Sequence, residues 1–282
     1  MRKYKVPTSL SSTITLNNEI NMPAFGFGTY KLISDEAVEA TKFAIERGYR
    51  LIDTAAFYHN EVEIGEAVRT CGLSREEIFL TTKLWNTSHG RTKAKKAFKE
   101  SLRRLKLDYV DLYLIHWPKP GKRVETWKTL EEIYKDGKAR SIGVSNFTIE
   151  HLEELRDRAD IIPAVNQFEF SPFLYQKKLF DYCRSHEIAV QAYAPITRAN
   201  KFSNPTVQKM VKKYDKTPAQ ILLRWSIQHG AIPIPKSSKQ EHIEENSTIF
   251  DFEIADSDME ELNSLDEGYR ITVWDPTTDR WK

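Results

Sequence analysis

The sequence predicts an α/β protein built as a (β/α)8 TIM barrel, with an N-terminal β-hairpin and a C-terminal helix and tail. Three observations carry this. Eight strand-like apolar runs recur along the chain with helical patterns between them, the alternation expected of a parallel sheet covered by helices. The 282 residues suit one such barrel, which takes about 250. Finally, Asp53, Tyr58, Lys83 and His116 stand at or just past the ends of three successive runs. That is the rim on which barrels of this kind carry their reactive groups.

Taken in order, residues 13–22 (TITLNNEINM) alternate apolar and polar positions around Asn17-Asn18, residues that tolerate the positive φ of a tight hairpin turn. The eight strands are expected at Ala24–Thr29, Arg50–Asp53, Ile78–Lys83, Val110–His116, Ala139–Val144, Ala164–Phe168, Ala189–Tyr193 and Ala231–Ile234. Helical spacing falls between them at Ser34–Arg47, Thr92–Leu105, Thr126–Asp136, Thr148–Asp157, Tyr175–His186 and Thr217–His229. Ser34 and Asp35 precede a 3–4 apolar repeat that Gly48 ends as a C-terminal cap. Thr217-Pro218 places a capping hydroxyl before a proline at the first helical position. No Ser/Gly-rich linker or shift in composition divides residues 1–282, so one domain is expected. Its two additions are the hairpin at 13–22 and the segment 256–282, with a helix near Ser257–Leu265. Trp274 and Trp281 in that tail could fold over a barrel mouth or pack on an outer helix.

Bulk composition narrows the class. Basic residues number 42 and acidic residues 40, a net charge of +2, so no global field points to nucleic acid. The basic cluster Arg91–Lys99 has helical spacing and reads as a solvated face. Cys71 and Cys183 are too few for a disulfide framework, which suits a reducing compartment. The start MRKYKVPTSL is basic without an apolar core of its own, and no apolar run approaches the ~20 residues that span a bilayer. A soluble, cytoplasmic protein with no membrane partner is the expectation; nothing marks an oligomer interface, so a monomer is expected too.

The four rim residues each have a plainer reading: a structural ion pair for Asp53 and Lys83, a packed ring for Tyr58, and a buried imidazole bonded to backbone for His116. Their combination speaks for chemistry. A phenol titrating near pH 10 is a poor acid at neutral pH. A neighbouring ammonium favours the phenolate, and Asp53 would keep that ammonium charged and in place. His116 would offer a hydrogen bond to the same substrate oxygen. Together the set suits acid-assisted chemistry on a polar double bond.

The segments LIDTAAFY, TTKLW, DLYLIHWP, IGVSNF and IPKS resemble, in type and in order, the signature motifs of the aldo-keto reductases, over roughly residues 13–265. The resemblance implies a (β/α)8 barrel that binds an extended nicotinamide dinucleotide without a Rossmann fold. It implies NADPH-dependent reduction of aldehydes and ketones, with Tyr58 as proton donor, Asp53 and Lys83 as the pair that lowers its pKa, and His116 orienting the carbonyl.

No G-x-G-x-x-G opens a strand–turn–helix; Gly26-Phe27-Gly28-Thr29 is a weak echo that reads equally as a small-residue strand end. Ser145 and Asn146 after one strand, and Gln167 on the next, offer polar groups at the rim. In the family these bind the nicotinamide carboxamide, while Tyr193 stacks on the ring. The resemblance also places Thr29, Tyr30, Asp53, Ala194, Pro195 and Ile196 against the cofactor. Lys236, Ser237 and Ser238 precede a helix start, a setting that suits an anion, and the family uses Lys236 and Ser237 to read the 2′-phosphate. Glu245 and Asn246 match adenine-side positions. The family's usual arginine is His242 here. A mostly neutral imidazole replaces a permanently charged fork, so some use of NADH beside a preference for NADPH is expected.

Tyr30, Phe57, Trp85 and Trp117 flank the catalytic positions and, with His116, would line an apolar substrate pocket. The short loop after His116 (WPKPGKRVE) implies an open site with broad tolerance: small aldehydes, α-ketoaldehydes such as methylglyoxal, and quinone-like carbonyls. Two other readings compete. Lys83 as a Schiff-base nucleophile would make an aldolase, against which Asp53 argues by keeping the amine protonated. A non-catalytic cofactor-binding, redox-reporting subunit is the other, and an intact tetrad argues against it.

Overall fold

The fold is built on parity. Side chains alternate across a strand, and in four of the barrel strands the alternate positions are apolar at the start and polar at or just past the end. Leu51 precedes Asp53, Phe79 precedes Lys83, Leu112 and Leu114 precede His116, and Val165 precedes Gln167. Those early residues form one buried cluster inside the sheet. The intervening residues, such as Ile52, Leu80, Tyr113 and Ile115, join a second cluster that faces the helices. The inward face is thus apolar at one end of the barrel and ionisable at the other.

The computed structural model describes residues 5–278. Strands β1 (Thr13–Thr15) and β2 (Asn21–Pro23) form an antiparallel hairpin. The barrel then runs β3 (Gly26–Gly28), α1 (Ser34–Glu46), β4 (Leu51–Asp53), α2 (Glu61–Thr70), β5 (Phe79–Leu84) and α3 (Arg91–Leu105). It continues with β6 (Val110–Ile115), α4 (Arg123–Lys135), β7 (Ala139–Ser145), α5 (Ile149–Arg156), β8 (Val165–Glu169), α6 (Lys177–Ser185) and β9 (Ala189–Tyr193). Two helices, α7 (Pro205–Tyr214) and α8 (Pro218–His229), precede β10 (Ile232–Pro233), and α9 (Gln240–Ser247) and α10 (Asp256–Asn263) follow.

Strands β3 to β10 lie side by side in chain order, all parallel. The Gly28 N–H donates to the Pro235 carbonyl at 2.9 Å and brings the two edges together. That seam explains Gly26 and Gly28. A Cβ on Gly28 would stand 2.8 Å from the Ile234 carbonyl oxygen, and one on Gly26 would stand 2.6 Å from the Leu51 side chain. The pair serves barrel closure. Between helices, Gly65 plays the same part: its Cβ would fall 2.2 Å from the Leu105 carbonyl oxygen, so α2 and α3 meet at backbone contact.

The hairpin closes the far end of the barrel. Leu16 and Met22 are buried against Leu51, Phe79 and Ile232, among the first residues of their strands. The turn falls at Asn17-Asn18 as expected, closed by the Glu19 N–H donating to the Leu16 carbonyl at 3.0 Å, but the expected positive φ at the asparagines is corrected. The positive φ belongs to Glu19 (68°), while the asparagines use their amides elsewhere: Asn17 donates to the Pro163 carbonyl and Asn18 to that of Arg140. They tie the plug to the barrel.

The expected strands agree with the observed ones to within about two residues. Helices α2 and α7 were not among those expected, and α7 is an extra element between β9 and α8. At α1 the expected serine cap is absent: Ile33 is the N-cap, with no side-chain bond, and Ser34 has φ 51°. Gly48 ends that helix with φ 100° as expected. Thr217 caps α8 in a full capping box with Gln220. Among the described residues no helix is long and apolar enough to cross a membrane. Arg91 and Lys95 of the basic cluster pair with Glu132 of α4.

Candidate active site

A cavity of about 530 Å3 opens where the strands end, lined by Gly28 of β3, Asp53 of β4, His116 after β6, Asn146 after β7, Gln167 of β8, Tyr193 of β9 and Pro235 after β10. Parity turns Asp53, Lys83 and Gln167 inward: β4 and β5 are adjacent in the sheet and β8 lies four strands from β4, across the barrel, so Asp53 and Gln167 line the cavity with Lys83 buried beside them.

Lys83 is fully buried. Its Nζ donates to Asp53 Oδ1 at 2.5 Å, to the Thr54 carbonyl at 2.9 Å and to Tyr58 Oη at 3.2 Å. An ammonium has three N–H donors, and all three have acceptors here. A neutral amine would instead aim a lone pair at one of those oxygens, so the surroundings specify the charged form. Burial alone pushes Lys83 down and Asp53 up, while the charge of each partner pulls the other back. Asp53 Oδ2 accepts from Gln167 Nε2 at 2.7 Å, and Gln167 also donates to Gln191 Oε1 at 2.6 Å. Aspartate, lysine and glutamine thus form one buried network across 114 residues of sequence between Asp53 and Gln167.

Tyr58 lies on the turn after β4, its ring under the Lys83 ammonium at 4.7 Å and 5.0 Å from the Tyr30 ring. The expected lowering of its pKa is corrected. The phenol stands well above its ordinary value, first because it is buried and then because Asp53, Tyr193 and Tyr30 add negative charge or its prospect. Tyr58 therefore holds its proton throughout the neutral range.

His116 is held well below its ordinary value by burial and by the Lys83 charge. It is a neutral imidazole, set edge-on to Tyr58 with centroids 5.7 Å apart, and its Nδ1 has no partner. Asn146, in the left-handed region with φ 62°, donates to the His116 carbonyl at 3.0 Å and accepts from the Tyr193 hydroxyl at 2.8 Å. That bond fixes the Tyr193 ring as a wall of the cavity.

Phe57 stacks on Trp85 at 3.8 Å. Trp274 from the tail packs 5.6 Å from Trp85 and 5.5 Å from Trp117. The tail is thus seated over the mouth; Trp281 lies outside the described residues. Its anchor is Glu169, the last residue of β8, whose carboxylate is 2% exposed and accepts the backbone N–H groups of Ile271 at 2.5 Å and Thr272 at 3.2 Å.

Tyr30, Phe57, Trp85, Trp117, Thr29, Ala194, Pro195, Ile196, Lys236, Ser237, His242, Glu245 and Asn246 all line the same cavity. Ser145 and Ser238 do not; Ser145 Oγ instead accepts from the Asn146 amide at 3.1 Å. Glu245 is engaged by the Thr217 hydroxyl at 2.7 Å. Sequence reasoning missed Lys31 and Arg198, which also line the cavity. Neither sits at a strand end. Arg198 lies in a turn where Thr197, Arg198 and Ala199 all have positive φ.

The residues fit a nicotinamide dinucleotide phosphate. Among the described residues, Lys31, Arg198 and Lys236 line the cavity, so cationic groups face a slot that also presents amides (Asn146, Gln167, Asn246) and aromatic walls. A polyanion with planar rings matches that donor set.

The model of the aldo/keto reductase family matches residues 24–267. The chain is 48% identical over 267 residues to glyoxal reductase of Bacillus subtilis, covering 94% of this chain and 97% of that protein. It is 42% identical to morphine 6-dehydrogenase of Pseudomonas putida, covering 93% of each. Among solved structures it superposes with a TM-score of 0.91 on an aldo-keto reductase from a deep-sea metagenome library, at 44% identity and covering 93% of this chain and 98% of that one. An aldo-keto reductase of Bombyx mori in complex with NADP follows at a TM-score of 0.87 and 37% identity, covering 93% and 94%.

Proposed function

The chain belongs to the aldo/keto reductase family, and on that premise we propose that it reduces small aldehydes and α-ketoaldehydes such as methylglyoxal, with Tyr58 as the proton donor. It is an NAD(P)H-dependent oxidoreductase acting on carbonyls. NADPH, when bound, supplies a hydride to the carbonyl carbon.

The chain's own residues do the rest. Asn146 and Gln167 would hold the carboxamide, Tyr193 the ring face, and Lys236 and Ser237 the 2′-phosphate. His116, neutral and lining the cavity beside Tyr58, is suited to bind and orient the carbonyl oxygen. Tyr58 protonates that oxygen as charge builds on it. The phenolate left behind lies 3.2 Å from the Lys83 Nζ, so the ammonium stabilises the product state of the transfer more than the resting phenol. A high resting pKa and useful acidity are compatible for that reason. Asp53 keeps the ammonium in place. Phe57, Trp85, Trp117 and Tyr30 would hold the apolar part of the substrate.

The observation that carries this reading is the buried Lys83 ammonium bonded at once to Asp53, the Thr54 carbonyl and Tyr58, with Asp53 and Tyr58 lining an open cavity. The same three bonds speak against a Schiff-base aldolase, since no lone pair of Lys83 is presented to a ligand. A complete proton-donor set likewise speaks against a purely redox-reporting subunit. The name of the Bacillus relative supports α-ketoaldehydes as substrates. We take residues 1–282 as one domain acting as a cytoplasmic monomer, without nucleic-acid or membrane partners. NADPH oxidation by purified protein with methylglyoxal tests the function. Turnover should fall by about 100-fold or more in Tyr58→Phe, as loss of a general acid does, with NADPH binding retained. Wild-type turnover in that variant would remove Tyr58 from the mechanism.

A further inference from the structure

Tyr58 is carried by a short loop, and a residue outside the cavity sets where that loop lies. Asn60 is completely buried, at the N-cap of α2. Its Oδ1 accepts from the Thr54 hydroxyl at 2.7 Å. Its Nδ2 donates to the Thr29 carbonyl at 2.8 Å and to the Leu32 carbonyl at 3.0 Å.

These bonds join two loops at three points. The Thr54–Asn60 bond ties the two ends of the segment that carries Phe57 and Tyr58. The two amide donations fasten it to the β3–α1 loop, which carries Tyr30, the ring packed against Tyr58. Thr29 is tied in turn to the Asp53 carbonyl through its backbone N–H at 3.0 Å and its hydroxyl at 2.9 Å. Thr54 also lends its carbonyl to Lys83. The amide is therefore linked at both ends to the Asp53–Lys83 pair and spans the phenol between them. Within the loop, Ala56–Tyr58 form a 3-10 turn and His59 has φ 57°, a conformation that needs outside support in a non-glycine residue. Both amide hydrogens and the amide oxygen are engaged, so the side chain has one orientation consistent with all its partners.

We propose that Asn60 is a positioning residue for the proton donor: it holds the Tyr58 hydroxyl in register with Lys83 and Tyr30 without touching substrate or cofactor. This rests on the reading of Tyr58 as the donor. The chemistry requires an amide. Aspartate has the same shape and can accept from Thr54, but it presents negative charge to the Thr29 and Leu32 carbonyls. Misplacement of a reacting group by about 1 Å costs on the order of 100-fold in rate.

The test uses the full chain with NADPH and methylglyoxal. Asn60→Asp should lower kcat by about 10–100-fold, with KM for NADPH and its fluorescence-measured Kd within about twofold of wild type. The solvent deuterium isotope effect on kcat should rise, because a displaced phenol makes proton transfer more rate-limiting. Thr54→Val, which removes one bond, should show the same changes in smaller degree, and Thr54→Ser should recover most of what Thr54→Val loses. If Asn60→Asp fails to fold, the Thr54 pair decides alone. A lowered melting temperature with kcat per NADPH-binding site and isotope effect unchanged would overturn the proposal and leave Asn60 a purely structural residue. Tyr58→Phe separates the premise: full turnover there sinks the donor assignment, whereas its loss beside normal Asn60 and Thr54 variants sinks only the positioning role.

Discussion

Replacing Lys83 with methionine should destabilise the protein in a manner that Asp53→Asn largely reverses. Lys83 is fully buried and Asp53 is 2% exposed. The substitution keeps volume and apolar stem but removes the ammonium, leaving Asp53 with Gln167 as its remaining side-chain donor. Breaking a buried pair from one side costs about 3–5 kcal/mol, or roughly 6–10 °C in Tm at ~2 °C per kcal/mol for a chain of this size. Asp53→Asn on that background removes the stranded charge, so the double variant should lie about 2 kcal/mol above Lys83→Met. The sign with pH is a second signature. Burial without a partner raises the folded-state pKa of Asp53 above its unfolded value, and a raised carboxyl contributes stability at low pH that is lost as pH rises through the folded pKa. Lys83→Met should therefore be least impaired near pH 5, and the double variant should lack that trend. Urea unfolding followed by circular dichroism across pH 5–8 measures both. Lys83→Met within about 1 kcal/mol of wild type, or no recovery in the double variant, would refute the pairing argument.

Three further outcomes follow from the same geometry. His89 titrates at about 4 because it is buried, against about 6.5 in an unfolded chain, so its contribution is complete above pH 6.5 and lost as pH falls from 6.5 to 4. That is worth about 3 kcal/mol, and in His89→Asn, whose amide can keep a hydrogen bond with the Thr126 hydroxyl, acid unfolding should be shallower. Glu169→Gln weakens the grip on Ile271 and Thr272, so KM for aromatic aldehydes should rise about 10-fold with kcat less affected; steady-state kinetics against a small aliphatic aldehyde, which leans less on Trp274, gives the control. His242, exposed and 3.9 Å from Glu241, should discriminate the 2′-phosphate weakly, and His242→Arg should raise the NADPH-to-NADH ratio of kcat/KM about 10-fold. An unchanged ratio would leave Lys236 as the main reader of that phosphate.

Much of the site was legible because strand parity is a local property. Once the runs ending in Asp53, Lys83 and His116 are read as parallel strands, alternation alone assigns their facing. The cofactor-side residues Tyr193, Lys236 and Asn246 came from resemblance of motifs, and they line the same cavity. Asn60 was not legible as a clamp. A polar residue opening a helix is ordinary in sequence, and its two carbonyl partners lie 28 and 31 residues away. Helix α7 was missed because it is an extra element in the crossover between β9 and α8. Lys31 and Arg198 were missed because loop residues carry no periodicity to mark them.

The sequence by itself determined the strand–helix alternation, the parity that turns the ionisable groups inward, and the kinds of group available. Tertiary structure alone decided the closure at Gly28 and Pro235, the seating of Trp274 over the mouth, the bond from Gln167 to Asp53, and the direction in which the Tyr58 phenol is shifted. The division has one cause. Periodicity and residue type are carried by neighbours in the chain, whereas desolvation, register between distant segments and the balance of an ammonium against its carboxylate exist only once those segments surround the same point.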